Sequence, residues 1–145
     1  MARRLETGLD GLAGPSEVVA ISARPRGERA LARQLLAQAE HDPDALALGV
    51  ILPGGPAPAA VLSALEAGLK GLPAENRRVS ADALAARGAL IAAPSTEEAI
   101  GVARAVAPEH LWIDVPDRLC AADIVRAAAP RSGAVFLGTD SPVAM

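Results

Sequence analysis

The hydrophobic residues of the chain are grouped into five short continuous runs. Because the apolar residues in each run follow one another without alternating with polar ones, the runs are typical of strands that are buried on both faces. The predicted strands are residues 18–21, 46–52, 89–92, 111–115 and 134–137.

Amphipathic stretches separate these runs and predict helices at residues 28–41, 58–70, 75–87, 96–106 and 116–129. Ser95 and Glu98 form a capping box at the start of the fourth helix, and Pro116 and Pro130 mark the two ends of the fifth. Strands that alternate with helices predict an α/β fold. We expect a parallel sheet of about five strands with helices on both faces, in one domain over residues 1–145.

Composition and charge restrict the possible partners. Hydrophobic residues make up 51% of the 145 residues and aromatic residues 1%, and the net charge is -3. Few aromatic side chains and an acidic balance argue against nucleic-acid binding. No stretch approaches the ~20 apolar residues of a membrane helix. The single cysteine, Cys120, and the absence of an apolar run after Arg3-Arg4 favour a cytoplasmic protein.

Two polar residues continue the apolar stripe of the first predicted helix. Gln38 follows Leu31 and Leu35 at helical spacing, and His41 lies three positions further on, so we expect both polar side chains to point inward. They are either two hydrogen-bonded residues at a frayed helix end or two metal ligands one turn apart. Imidazole is an ordinary zinc ligand and an amide oxygen an unusual one, and two ligands complete only half of a tetrahedral site.

Two more polar groups precede predicted strands. Glu109 and His110 stand directly before the fourth strand and are natural proton carriers, although a solvated glutamate beside a histidine that caps a helix end would also explain them. Ser16 follows the Gly14-Pro15 turn before the first strand. It is a candidate to fix a ligand by hydrogen bonding, or simply part of a turn.

All these polar groups precede strands, and the amino ends of parallel strands meet at one edge of a sheet. The sequence therefore predicts one shared pocket at the amino edge. Open α/β sheets usually bind ligands at the opposite, carboxyl edge, so this location is unusual for the fold.

Four segments resemble the middle part of histidinol dehydrogenase in order and spacing, over essentially the whole chain. They are RRLETGLDGLAGPSEVVAI, LLAQAEHDP, EEAIGVARAVAPEHL and SGAVFLGTDSPVAM. The combination of QAEHD, APEHL and GPSEV is highly specific. The resemblance implies a Rossmann-like fold and the NAD-dependent, zinc-assisted oxidation of L-histidinol to L-histidine in histidine biosynthesis.

The resemblance also implies roles for individual residues. Gln38 and His41 match two zinc ligands, and Ser16 matches a substrate contact. Glu109 and His110 match the acid–base pair, in which His110 takes the alcohol proton and Glu109 activates the water that hydrates the aldehyde intermediate. The implied substrate-binding residues are Ser16, Gln38, His41 and His110. Zinc would orient the substrate, and the zinc ion itself would not change its redox state.

Other parts of the family site are expected outside this chain: a zinc ligand beyond Met145, a histidine ligand supplied in the dimer by a later region, and most NAD contacts upstream. The chain also lacks a GxGxxG phosphate loop. We therefore expect Zn²⁺ and NAD as cofactors, with the NAD site mostly elsewhere, and a homodimer or a complementing chain. One alternative is a non-catalytic module that binds zinc or an imidazole or amine ligand. Another is a folded remnant that binds nothing.

Overall fold

The computed structural model describes residues 16–138, which form five strands and five α-helices. The strands are β1 (Glu17–Ser22), β2 (Leu46–Ile51), β3 (Gly88–Ala92), β4 (His110–Asp114) and β5 (Ala134–Leu137). The helices are α1 (Glu28–Ala39), α2 (Pro58–Gly71), α3 (Ala74–Arg87), α4 (Thr96–Val106) and α5 (Arg118–Ala128), and a 3-10 turn at Ala129–Arg131 follows α5.

The five strands form one sheet in the order β3-β2-β1-β4-β5, and every neighbouring pair is parallel. This order is that of a doubly wound α/β fold, in which the chain returns to the centre and then builds outward on the other side. The predicted α/β class with a parallel sheet is therefore confirmed. The order also makes β1 and β4 neighbours, with Val18 opposite His110, although more than 90 positions separate them in the chain.

Each face of the sheet carries its own hydrophobic layer. On one face α1 and α2 pack on Val18, Ala20 and Trp112. On the other face α4 and α5 pack on residues of alternate parity, such as Val19 and Ile113. Because the strands are covered on both sides, their residues are continuously apolar rather than alternating. Trp112, which is 1% exposed, is the largest fully buried side chain in the described part of the chain.

Local capping explains the largest differences from the predicted helix bounds, which are two residues at the end of α1 and two at the start of α5. α1 ends at Ala39, two residues before the predicted end, and the Asp42 carboxylate then accepts a hydrogen bond from the Asp44 backbone N–H and closes a turn. α5 begins at Arg118 rather than at Pro116, because the Asp117 side chain accepts from the N–H groups of Leu119 and Cys120. By contrast α4 and β5 have the predicted bounds.

Within residues 16–138 no helix combines the length and the apolar character that crossing a membrane requires. The single domain over residues 1–145 extends past the described residues at both ends, and it stays a prediction.

Candidate active site at the amino edge of the sheet

The amino edge of the sheet brings together four of the five residues singled out in the sequence. Ser16 directly precedes β1, Glu109 directly precedes β4, and His110 is the first residue of β4. Because β1 and β4 are paired, these three residues share one edge. Gln38 reaches the same edge from the last turn of α1, the helix that covers this face of the sheet.

Glu109 is hydrogen-bonded to Ser16 and lies beside His110. The Ser16 hydroxyl donates a hydrogen bond of 2.5 Å to Glu109 Oε2. The other carboxylate oxygen, Oε1, lies 3.8 Å from His110 Nε2. The Glu109 side chain is 56% exposed, so the carboxylate is oriented by protein groups and remains accessible to water and to small ligands.

His110 lies between Gln38 and Glu109. Its Nδ1 is 3.2 Å from Gln38 Oε1 and its Nε2 faces Glu109. The ring also makes a T-shaped contact with Phe136 on β5, with centroids 5.7 Å apart and an interplanar angle of 76°. With contacts on both ring nitrogens and on one ring edge, the imidazole has a defined orientation, and its side chain is 28% exposed.

Gln38 and His41 lie in different environments. Gln38 is 3% exposed, and its amide nitrogen is buried without a hydrogen-bond partner among the described residues. His41 is exposed and lies beyond the end of α1 at Ala39. The expectation that both side chains point inward therefore holds for Gln38 and is wrong for His41. The role of either residue as a zinc ligand stays a prediction.

Residues 16–138 do not form a complete metal-binding site. Among residues 16–138, no three His, Cys, Asp or Glu side chains are grouped closely enough to hold a metal ion. Gln38 and His41, the two residues that the resemblance matches to zinc ligands, would amount to half of a tetrahedral set.

Sequence reasoning missed Phe136 as a neighbour of His110. Phe136 is opposite Trp112 in the β4–β5 register, and Trp112 is on the same face of β4 as His110. A signal was present, since Phe136 is the only phenylalanine of the chain and lies in a predicted strand. Pairing it with His110 would have required knowing that β5 lies beside β4.

A second polar pair lies at the carboxyl edge of the same two central strands. Arg24 Nε donates to Asp114 Oδ1 over 2.6 Å, and Asp114 is fully buried at the end of β4. Asp114 Oδ2 has no partner among residues 16–138. In dinucleotide-binding folds the glycine-rich phosphate loop occupies the turn after the first strand. Here the turn after the first strand carries Arg24, whose side chain is bound to Asp114. Arg24 and Asp114 therefore do not fit an NAD phosphate site.

The chain is similar to histidinol dehydrogenases over almost its full length. The family profile described as histidinol dehydrogenase matches residues 2–145. The chain is 41% identical over 138 residues to the histidinol dehydrogenase of Synechococcus sp., an alignment that covers 95% of this chain and 30% of the relative. It is 38% identical over 147 residues to that of Bradyrhizobium diazoefficiens, covering 99% of this chain and 32% of the relative.

A solved structure shows the same relationship. The crystal structure of histidinol dehydrogenase from Elizabethkingia anophelis matches with a TM-score of 0.70 and 29% identity, over 89% of this chain and 28% of that one. The chain thus spans about 30% of the length of the curated relatives it matches. Since the family profile covers residues 2–145, this chain belongs to the histidinol dehydrogenase family, a family of oxidoreductases.

Proposed function

We propose that this chain carries the acid–base groups of an enzyme that oxidises L-histidinol to L-histidine with NAD and zinc. The observation that supports the proposal is the continuous series of contacts from Ser16 through Glu109 and His110 to Gln38, in a member of the histidinol dehydrogenase family. The substrate, both cofactors and a homodimeric or complementing partner are parts of the proposal. So is a cytoplasmic location, which rests on the single cysteine.

The proton transfers are assigned to the two residues before and at the start of β4. His110 takes the proton of the substrate alcohol at a ring nitrogen as the carbon loses a hydride to NAD⁺ and becomes the aldehyde; the hydrated aldehyde loses a second hydride to a second NAD⁺. Glu109 then removes a proton from the water that adds to the aldehyde. The exposure of the Glu109 carboxylate supports this second role, because the group must meet a water molecule. Ser16 fixes that carboxylate and is close enough to the edge to contact the substrate.

Zinc would be held on one side by Gln38 and His41. The amide of Gln38 fits a ligand role in one respect: its carbonyl oxygen has two lone pairs, and His110 engages one of them. Zinc would supply a Lewis acid that orients the substrate. The remaining ligands are assigned to regions outside this chain.

Calorimetric titration of the purified chain with L-histidinol, with and without Zn²⁺, tests the proposal. We expect a measurable heat that increases with Zn²⁺ and falls at least several-fold in Gln38→Met. Gln34→Met, the same change one turn earlier in α1, is the matched control and should bind like the parent chain. No heat at millimolar L-histidinol under either condition would contradict the proposal.

The alternative function is a non-catalytic module that binds zinc or an imidazole or amine ligand without turnover. It is favoured by the turn after β1, where Arg24 is held by Asp114 and no phosphate loop exists. The assay that separates the two functions is NADH formation from L-histidinol and NAD⁺. Turnover by the purified chain would exclude the module. Binding without turnover, even in mixtures with a longer family member inactivated at its own acid–base pair, would favour it.

A further inference from the structure

The contact between Gln38 and His110 has a consequence for the imidazole itself. Gln38 is on α1 and His110 is on β4, 72 positions apart, and the amide oxygen Oε1 is 3.2 Å from Nδ1. Gln38 is 3% exposed and lies in the helical layer that packs on β1 and β4. The amide therefore has little freedom to leave the ring.

A neutral imidazole carries one N–H, on either Nδ1 or Nε2, and the partner of each nitrogen decides which. A carbonyl oxygen can only accept a hydrogen bond. An oxygen that faces Nδ1 therefore requires the proton on Nδ1 and leaves the lone pair on Nε2. Nε2 lies 3.8 Å from Glu109 Oε1, which is beyond hydrogen-bond distance, so the nearer Gln38 oxygen decides the position of the ring proton.

We propose that Gln38 is a positioning residue that fixes His110 as the Nδ1–H tautomer and leaves the Nε2 lone pair at the open amino edge of the sheet. The same tautomer gives His110 a free basic nitrogen on the side where Ser16 and Glu109 lie. Phe136 contacts the ring edge-on and limits its rotation, so the amide and the phenyl ring together define one orientation. Only the use of Nε2 as the base rests on the proposed function; the tautomer does not depend on it.

If the oxygen and nitrogen of the Gln38 amide were exchanged, a different tautomer of His110 would be expected. If the amide were turned over, its NH₂ group would donate to Nδ1, the ring proton would be on Nε2, and the buried orphan atom would be the carbonyl oxygen rather than the nitrogen. The two arrangements thus differ in the tautomer of a single histidine. The chain has only two histidines, and the other one, His41, is exposed.

The experiment is a long-range ¹⁵N–¹H correlation spectrum of the metal-free chain labelled with ¹⁵N-histidine, at alkaline pH where imidazole is neutral. His41→Gln assigns the two spin systems. We expect His110 to show a protonated Nδ1 and an unprotonated Nε2, and exposed His41 to show the mixed pattern of a solvated imidazole. No substrate, zinc or NAD is present, so the result is independent of whether the chain binds L-histidinol.

Variants of Gln38 separate positioning from packing. Gln38→Met keeps an unbranched side chain without an acceptor and should shift His110 toward the Nε2–H form, whereas Gln34→Met should not. Gln38→Glu, whose carboxylate also only accepts, should restore the Nδ1–H form. A parent chain with His110 as Nε2–H would overturn the proposal even if no variant folds. So would a folded Gln38→Met protein whose His110 spectrum is unchanged.

Discussion

Ser16 and Glu109 are joined by a 2.5 Å hydrogen bond although 93 positions separate them in the chain. The bond exists because the sheet order places β1 beside β4, so the residues that precede these two strands are neighbours. A serine hydroxyl that donates to an ionised carboxylate orients it without removing its charge. The two motifs that carry these residues thus meet through the topology of the sheet and not through any local feature of the sequence.

Removal of the serine hydroxyl should affect binding more than folding. The Ser16–Glu109 bond is exposed, so we expect Ser16→Ala to lower the free energy of unfolding by about 1 kcal/mol or less. The proposed binding of L-histidinol should weaken several-fold, because Glu109 loses the group that orients it. Urea unfolding and calorimetry measure the two effects. Ser63→Ala removes an exposed hydroxyl that donates to the Ala59 carbonyl on α2, and it should leave the affinity unchanged.

Gly133 lies outside the candidate site but packs closely against the backbone of Glu109. A Cβ at this position would lie 2.8 Å from the backbone oxygen of Glu109, so Gly133→Ala must displace the chain at the start of β4. We expect a loss of about 1–3 kcal/mol in the free energy of unfolding and a marked loss of L-histidinol binding. Gly101→Ala is the control: a Cβ there meets nothing within 4 Å, and alanine should stabilise α4 by up to about 1 kcal/mol. Equal behaviour of the two variants would show that Gly133 does not position Glu109.

The position of this candidate site could be predicted from the sequence, but its internal contacts could not. The continuous apolar runs at residues 18–21 and 111–115 indicate buried parallel strands, and parallel strands have their amino ends at one edge. That argument suffices to place Ser16, Gln38, Glu109 and His110 together. It does not determine which strands are neighbours, and the pairing of Ser16 with Glu109 depends on β1 lying beside β4.

His41 shows where periodicity stops being informative. Its spacing from Gln38 is helical, yet α1 ends at Ala39 and His41 is exposed. The Asp42 side chain closes a turn onto the Asp44 backbone within a few residues of the helix end, and such side-chain to backbone bonds compete with helix continuation. Both ends of α4 were predictable, because Ser95 caps the start of the helix and Pro108 follows its last residue closely.

The ion pair at the opposite edge of the sheet should matter for stability rather than for chemistry. Asp114 is fully buried and Arg24 is its charged partner, so Arg24→Met leaves a carboxylate uncompensated in the interior. We expect the free energy of unfolding to fall by about 2–4 kcal/mol, somewhat less than for a pair buried on both sides because the Arg24 side chain is 40% exposed. Asp114→Asn should recover part of this loss when combined with Arg24→Met, since it removes the buried charge.

Arg126 provides the matched comparison for Arg24. It pairs with Asp123 three positions away on α5, and both side chains are well exposed, at 75% and 60%. Arg126→Met should therefore change the free energy of unfolding by about 0.5 kcal/mol or less. Urea unfolding, followed by the fluorescence of Trp112, measures the parent chain, Arg24→Met, the Arg24→Met/Asp114→Asn double variant and Arg126→Met. The single tryptophan reports unfolding because it is buried in the native chain and becomes exposed when the chain unfolds. If Arg24→Met were as mild as Arg126→Met, the carboxyl-edge pair would have no special role in holding β1 against β4.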